Sequence, residues 1–260
     1  MEKLAHSASA LGLYAYGQAI PSNGIFLKFY NSVIELCKLV NLEPTYISIA
    51  GDGYNGKYVK VGGRVHQKLL KSNFSHITSI SLVVNPIGSD EPAYDSFISI
   101  SFGVVPSSQE ISLYCVINEA IIPFASELYD FALDKFLVLW KWDFGFGFAD
   151  EVKRKPEFHL LGINSGVLSK DELAALKTWY ATPAERRIAK LRNIYPYNLV
   201  NEKQLNQTAE MSCSLKDLIL QHSGSTLVNT SIDGLSLWKI TNLSLIHEMQ
   251  NKLKSTDIFC

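Results

Sequence analysis

One glycine-rich stretch, GDGYNGKY (residues 51–58), has the composition of a loop that could hold a cation or a phosphate. Asp52 and Asn55 could supply oxygen ligands, and three glycines would let the backbone approach an anion closely. A calcium loop, however, needs more oxygen ligands at alternating positions and a bidentate carboxylate further along. A phosphate-binding P-loop needs Ser or Thr directly after its Lys, whereas here Tyr58 follows Lys57. The composition therefore favours a plain loop over either site.

The other residue types that carry chemistry are scattered along the chain. Ser165, in GINSG, has Ile163 where a nucleophile elbow requires Gly. No two of the six histidines have the i, i+4 spacing of metal ligands on one helix face, and none of the four cysteines forms a CxxC pair. The sequence thus predicts no catalytic residue, no cofactor and no metal. An enzyme whose site is assembled from isolated residues remains an alternative, because paired carboxylates can come from distant segments.

A cluster of polar and aromatic residues, RNIYPYN (residues 192–198), permits two interpretations. Arg, Tyr and Asn can recognise anions or bases, but they also serve in corners, where a Tyr hydroxyl or an Asn amide satisfies backbone groups. Pro196 disfavours helical geometry at Tyr195, so the preceding helix must end there. We favour the structural corner.

Charge is balanced overall but uneven along the chain. The net charge is -1 over 260 residues, and a dedicated nucleic-acid binder is usually visibly basic, so a nucleic-acid partner is not expected. Residues 1–150 carry a net charge of -4, whereas residues 151–192 carry +4. An acidic half could steer a basic protein partner electrostatically, although an ordinary solvated surface explains the charges equally well. The candidate partner-binding residues lie in predicted loops: Asp52, Asp90, Glu91 and Asp95.

No segment has the pattern of a signal peptide or a membrane span. The N-terminal apolar stretch is broken by His6, Ser7 and Gln18. The most apolar stretch, residues 136–148, contains Lys141 and Asp143 and falls short of the roughly 20 apolar residues that a bilayer requires. The four cysteines suit a reducing compartment. These patterns predict a soluble cytoplasmic protein that does not contact the membrane.

Alternating aliphatic and polar residues predict an α+β fold with a mainly antiparallel sheet and helices packed on one face. The runs that begin at Ile77, Ser96 and Ile111 place aliphatic side chains on one side and mainly serines on the other, and short links join them. Parallel pairing would require a crossover of a dozen or more residues between each pair. The elements suggest two α/β lobes, residues 1–150 and 151–260, or one continuous domain. Helices are predicted at residues 25–40, 64–73, 123–141, 169–181, 183–193 and 242–254, and further strands at 11–20, 45–51, 144–149, 226–232 and 235–240.

The second half of the chain resembles a known group of proteins. The segments FGFGFADEVKRKPEFHLLGINSG, LRNIYPYNLVNEKQL and DGLSLWKI, in this order from Phe144 to the C-terminus, resemble bacterial immunity proteins encoded beside polymorphic or type VI secretion (Rhs-type) toxins. The resemblance implies a protein that binds and neutralises one cognate, cytosol-acting toxin and has no catalytic activity of its own. The other alternative is an adaptor module of a larger assembly. A symmetric apolar patch on the protein surface would indicate this role.

Overall fold

The computed structural model describes residues 7–17, 21–86, 96–105, 109–122, 126–162, 169–210, 213–230, 232 and 234–259. The strands are β1 (Ser7–Tyr16), β2 (Tyr46–Gly51), β3 (Tyr54–Lys60), β4 (Ile77–Val84), β5 (Ile98–Val105), β6 (Glu110–Asn118), β7 (Phe144–Glu151), β8 (Tyr197–Asn201), β9 (Thr208–Glu210), β10 (Cys213–Ser214), β11 (Ser225–Asn229) and β12 (Leu235–Ile240). The α-helices are α1 (Asn23–Leu39), α2 (Arg64–Lys71), α3 (Ser126–Phe131), α4 (Pro156–Leu161), α5 (Lys170–Ala181), α6 (Ala184–Arg187), α7 (Glu202–Leu205), α8 (Leu215–Gln221) and α9 (Leu243–Leu253). A π-helical turn (Ala132–Phe136) and a 3-10 turn (Leu137–Leu139) continue α3, and a second 3-10 turn (Val152–Arg154) precedes α4.

Ten of the strands form one antiparallel sheet in the order β11-β12-β8-β7-β1-β6-β5-β4-β2-β3. The strands β4, β5 and β6 pair with one another in antiparallel register, which confirms the α+β, mainly antiparallel prediction. The sheet continues across residue 150, because β7 pairs with β1 on one side and with β8 on the other.

Helices cover opposite faces of this sheet in its two halves. In the first half, α1 buries Phe26, Phe29 and Val33 at helical spacing against aliphatic positions such as Ile100 and Leu113. We call this side the aliphatic face. On the other side, α4, α5 and α6 cover aromatic residues of β1 and β7, and α8 and α9 pack against Val200 and Trp238. We call this side the serine face.

The α+β, mainly antiparallel prediction holds, and the helices lie on both faces of the sheet rather than on one. The reason is the side-chain alternation of the strands, in which neighbouring residues point to opposite faces. Strands β4 and β5 are mainly apolar on one side and carry serines with a few valines on the other, whereas β1 and β7 carry large side chains on both sides: Leu11 and Leu13 against Tyr14, Phe144 and Phe146. The centre of the sheet therefore needs a cover on each side.

The glycine-rich sequence GDGYNGKYVKVGG (residues 51–63), which begins with the stretch GDGYNGKY and whose composition favours a loop, is not a plain loop. It contains β3, an edge strand that forms a hairpin with β2, and Gly51 pairs with Tyr54 across the two-residue turn Asp52–Gly53. Asp-Gly is a frequent pair in such turns, and glycine readily accepts the positive φ angle of its position, which is 78° at Gly53.

Candidate binding cleft

The serine face of the first half carries a row of hydroxyl-bearing side chains. Tyr58 is paired with Ser48, Ser48 with Ser81, Ser81 with Ser101, and Ser101 with Tyr114. Residues directly opposite each other in an antiparallel sheet point to the same side. The five hydroxyls therefore form one line across β3, β2, β4, β5 and β6.

Helix α4 forms a wall at the end of this row. Pro156 is the first residue of the helix, where a backbone N–H would have no acceptor within the helix, so proline costs no hydrogen bond. Gly162 ends the helix with a left-handed backbone conformation, at φ 66°. Gly12 of β1 allows α4 to pack close to the strand. A Cβ at this position would lie 3.1 Å from Leu160 Cδ2 and 2.8 Å from the Tyr14 hydroxyl.

Buried side chains fix the carbonyl end of α4. The Tyr14 hydroxyl donates a hydrogen bond of 2.8 Å to the Leu160 carbonyl oxygen. The Arg192 guanidinium donates to the same oxygen at 3.2 Å and also to the His159 carbonyl oxygen. These donors add hydrogen bonds at the last turn of the short helix, where the His159 carbonyl also accepts from the Gly162 N–H, and a cation near a helix C-terminus is also favourable.

Floor and wall enclose a cleft of about 840 Å³. Serine, tyrosine and valine side chains make up most of the floor, and α4 with the turn before it makes up the wall. The polar residues that line the cleft are Ser79, Ser81, Ser96, Ser99, Ser101, Ser112, Tyr46, Tyr58, Tyr114 and Glu157.

Hydrogen bonds order the middle of the floor. The Ser101 hydroxyl donates to the Ser81 hydroxyl at 2.8 Å, and the Ser48 hydroxyl donates to the Gly56 carbonyl at 2.6 Å. Burial raises the pKa of Tyr58, while a hydrogen bond with Ser81 lowers it. Burial likewise raises the pKa of Tyr114. Both tyrosines therefore stay neutral at ordinary pH and can donate as well as accept hydrogen bonds.

Glu157 is the carboxylic acid of the cleft. Burial raises the pKa of Glu157, whereas the hydrogen bond from its own backbone N–H and the charge of Lys155 lower it. In the part of the chain that the structure describes, no cation forms an ion pair with Glu157. The negative charge of Glu157 also raises the pKa of Tyr58, and both residues line the cleft.

A second group of ionisable residues lies under the helices of the serine face. Arg187 and Glu110 form a buried ion pair at 3.6 Å, and Arg187 donates a hydrogen bond of 3.2 Å to the Tyr16 hydroxyl. His159 Nε2 lies 3.0 Å from the Tyr195 hydroxyl, and burial, with a contribution from the nearby Arg192, lowers the pKa of His159 to about 3. These residues lie outside the set that lines the cleft.

The predicted partner-binding residues are only partly described. Asp52 is exposed at the β2–β3 turn, and the cations that follow it are also exposed and form no ion pair within the described ranges: Lys57, Lys60, Arg64, Lys68 and Lys71. Asp90, Glu91 and Asp95 lie outside the described residues, as does Ser165. Ser96, the next described residue after Asp95, lines the cleft.

No group of three or more His, Cys, Asp or Glu side chains could hold a metal ion in the described ranges. None of the helices described there is long and apolar enough to span a bilayer.

Sequence reasoning found the floor of the cleft but not its wall. The alternating serines of β4 and β5 correctly predicted a polar face. The sequence signals of α4 lie at residues 156–162: a proline at the first helical position, followed by Glu157 and a terminal glycine. That α4 lies beside the serines depends on the contact of Leu160 with Gly12, which no local pattern indicates.

Comparison with known proteins gives a fold-level similarity. No protein-family model and no curated protein sequence matches the chain. Among solved structures, the chain is similar to the Pseudomonas aeruginosa T6SS protein PA0821, with a TM-score of 0.58 and 9% sequence identity over 95% of this chain and 76% of that chain. At this level of identity the similarity shows a shared fold and no more.

Proposed function

We propose that this protein is an immunity protein, which binds a cognate cytosol-acting toxin in the cytoplasm and neutralises it without catalysis of its own. The observation that carries the proposal is the cleft on the serine face. Its floor is built on hydrogen-bonded strands, so a partner would meet a largely rigid surface. The type VI secretion system named for the structural neighbour supports a role of this kind, as does the resemblance of the segments from Phe144 onward.

The chemistry of the cleft suits a protein segment. Serine side chains lose little conformational entropy when they become ordered, and each hydroxyl can both donate and accept a hydrogen bond. Valine and aromatic positions such as Val83 and Phe158 supply apolar area between the hydroxyls. Polar contacts mixed with apolar area are typical of protein interfaces.

Blocking the cleft tests the proposal. The chain would be co-expressed with the product of the gene immediately upstream, and complex formation and cell growth would be measured. Ser101→Arg places a long cation in the middle of the floor and should abolish both the complex and the protection. Ser223→Arg, at an exposed turn after α8, is the matched control and should retain both. Equal binding and protection by Ser101→Arg would show that the cleft is not the toxin-binding surface.

An enzyme is the second candidate, and Glu157 is the observation that favours it. A carboxylic acid with a raised pKa in a cleft is a candidate general acid or base, and the cleft volume lies in the range of small-molecule sites. Such an enzyme would protect by modifying the toxin or its product. Glu157→Gln would then abolish protection while the protein still binds the toxin. A protein that protects by binding alone would keep its protection for as long as it binds the toxin.

A further inference from the structure

Glu157 has an unusual position for a carboxylate. It is half-buried in the wall of the cleft, and the described part of the chain offers it no ion pair. A carboxylate that loses hydration without gaining a cationic partner is costly for the folded protein. A ligand that brings a positive charge would recover that cost on binding, so the cleft favours cationic ligands over neutral ones.

The groups around Glu157 suit a planar cation with several donors. Across the cleft, the Tyr58 hydroxyl and the Ser81–Ser101 pair present oxygen atoms with free lone pairs. Phe158 and Tyr46 add aromatic rings to the lining. A guanidinium group has five donors in one plane and stacks on aromatic rings, whereas an ammonium group offers a compact point charge.

The protein already holds a cation against this wall. Lys155 Nζ lies 5.2 Å from the centre of the Phe158 ring, and the charge of Lys155 lowers the pKa of Glu157. The Glu157 carboxylate on α4 therefore already interacts favourably with one positive charge of the protein. Lys155 would compete with a ligand cation for Glu157, but it is not among the residues that line the cleft.

We propose that the cleft is specific for an arginine side chain of its protein partner, with the guanidinium on the Glu157 carboxylate and the hydroxyls of Tyr58, Ser81 and Ser101 around it. The inference rests on the proposed function, because it names the group that the partner inserts into the same cleft. It also goes further, since a toxin could occupy the cleft with neutral side chains alone.

The test uses a small probe and the intact chain. N-acetyl-arginine amide would be titrated into the isotopically labelled protein, and the backbone amide signals of Tyr58, Ser81 and Ser101 would be followed by NMR. N-acetyl-citrulline amide, which has the same shape without the charge, is the matched probe. The arginine probe should shift these signals with saturation and bind about tenfold or more tightly than citrulline.

Two variants assign the preference to Glu157. Glu157→Gln should remove the difference between the probes, whereas Glu248→Gln, at an exposed position on α9, should retain it. Lys155→Ala should strengthen arginine binding, because it removes the competing cation.

Equal binding of the two probes, the absence of saturable shifts, or an unchanged preference in Glu157→Gln would overturn the inference. The proposed function would stand in each of these cases if Ser101→Arg still abolished the toxin complex. Conversely, arginine selectivity at Glu157 without any toxin complex would support the site and contradict the immunity role.

Discussion

The side-chain amide of Asn198 binds both the backbone N–H and the backbone carbonyl of Tyr195. The Tyr195 N–H donates a hydrogen bond of 3.0 Å to Asn198 Oδ1, and Asn198 Nδ2 donates one of 2.6 Å to the Tyr195 carbonyl oxygen. Both residues are buried, and the Tyr195 ring stacks on Phe146 with centroids 4.4 Å apart. The geometry confirms the structural corner predicted from the sequence, in which an Asn amide satisfies backbone groups before a strand begins.

Tyr195→Ala is expected to destabilise the fold without changing partner specificity. Removal of a buried aromatic ring leaves a cavity and costs about 3–5 kcal/mol, and the Tyr195 hydroxyl also contacts His159. The melting temperature should fall by roughly ten degrees, while the protein that remains folded binds the same toxin. A normal melting temperature with lost binding would instead make Tyr195 a contact residue.

The sequence predicted corners and buried strands better than edges. The helix α1 and the strands β4 to β6 have strong periodicity because one side of each is buried. In β3, however, nearly every side chain is exposed or half-exposed, so the alternation that marks a strand is absent. The Asp52–Gly53 turn is the remaining signal of this hairpin.

The helix predicted at residues 183–193 is shorter than its sequence suggests. Helix α6 ends at Arg187, because side chains distant in sequence take the carbonyl groups that would have continued it. Asn201 donates to the Ile188 carbonyl, Gln204 to the Lys190 carbonyl and Gln207 to the Ala189 carbonyl. Tertiary hydrogen bonds of this kind override local propensity and cannot be read from the segment alone.

His159 should make the protein less stable in acid. Its pKa is lowered to about 3 in the folded state by burial and by the nearby Arg192, so the unfolded chain binds a proton at higher pH than the folded chain. Stability contributed by the neutral imidazole is therefore present above pH 6.5 and is lost as the pH falls towards 3, by on the order of 4–5 kcal/mol. Chemical denaturation of wild type and His159→Gln at several pH values measures the difference between them.

The comparison with His159→Gln is needed because another buried group acts in the opposite direction. Burial raises the pKa of Glu110, so the folded chain binds this proton more readily than the unfolded chain, and the contribution of Glu110 weakens as the pH rises above 4.5. Glu110 is present in both proteins, and its effect cancels in the difference. A difference that does not change between pH 6.5 and 4 would contradict a neutral buried His159.

Replacement of Arg187 in the Arg187–Glu110 ion pair should lower the stability of the protein. Both side chains are buried, and Arg187 also donates to the Tyr16 hydroxyl with its guanidinium 4.6 Å from that ring. Arg187→Met would leave the carboxyl of Glu110 without its cation and should cost about 3–5 kcal/mol. Glu110→Gln together with Arg187→Met should recover part of that loss, and purely additive effects in denaturation experiments would argue against coupling of the pair.

Substitution of Gly145, at the junction of the two halves of the sheet, should destabilise the protein. A Cβ at this position in β7 would lie 2.7 Å from Leu13 Cδ2, 2.8 Å from the Gly12 carbonyl oxygen and 3.0 Å from Leu199 Cδ1. Gly145→Ala is therefore expected to destabilise the protein by about 1–3 kcal/mol. Gly24→Ala, in the first turn of α1, is the control: its Cβ would meet only Ser22 Oγ, at 3.8 Å, and the change should be neutral or stabilising. Similar melting temperatures of the two variants would be inconsistent with this packing.

If the protein binds a toxin as proposed, the acidic residues of the first half should govern the association rate. A toxin that handles nucleic acid or nucleotides tends to carry a basic cleft, and complementary charge raises its association rate. Combined reversal of Asp90, Glu91 and Asp95 to lysine should slow association at low salt and flatten its dependence on ionic strength, with little change in stability. Asp52→Lys should have a smaller effect, because exposed lysines of β3 and cations of α2 already offset the charge of Asp52. Stopped-flow association at two salt concentrations measures both variants, and an unchanged rate in the triple variant would leave the cleft, rather than the acidic residues, as the surface that recognises the toxin.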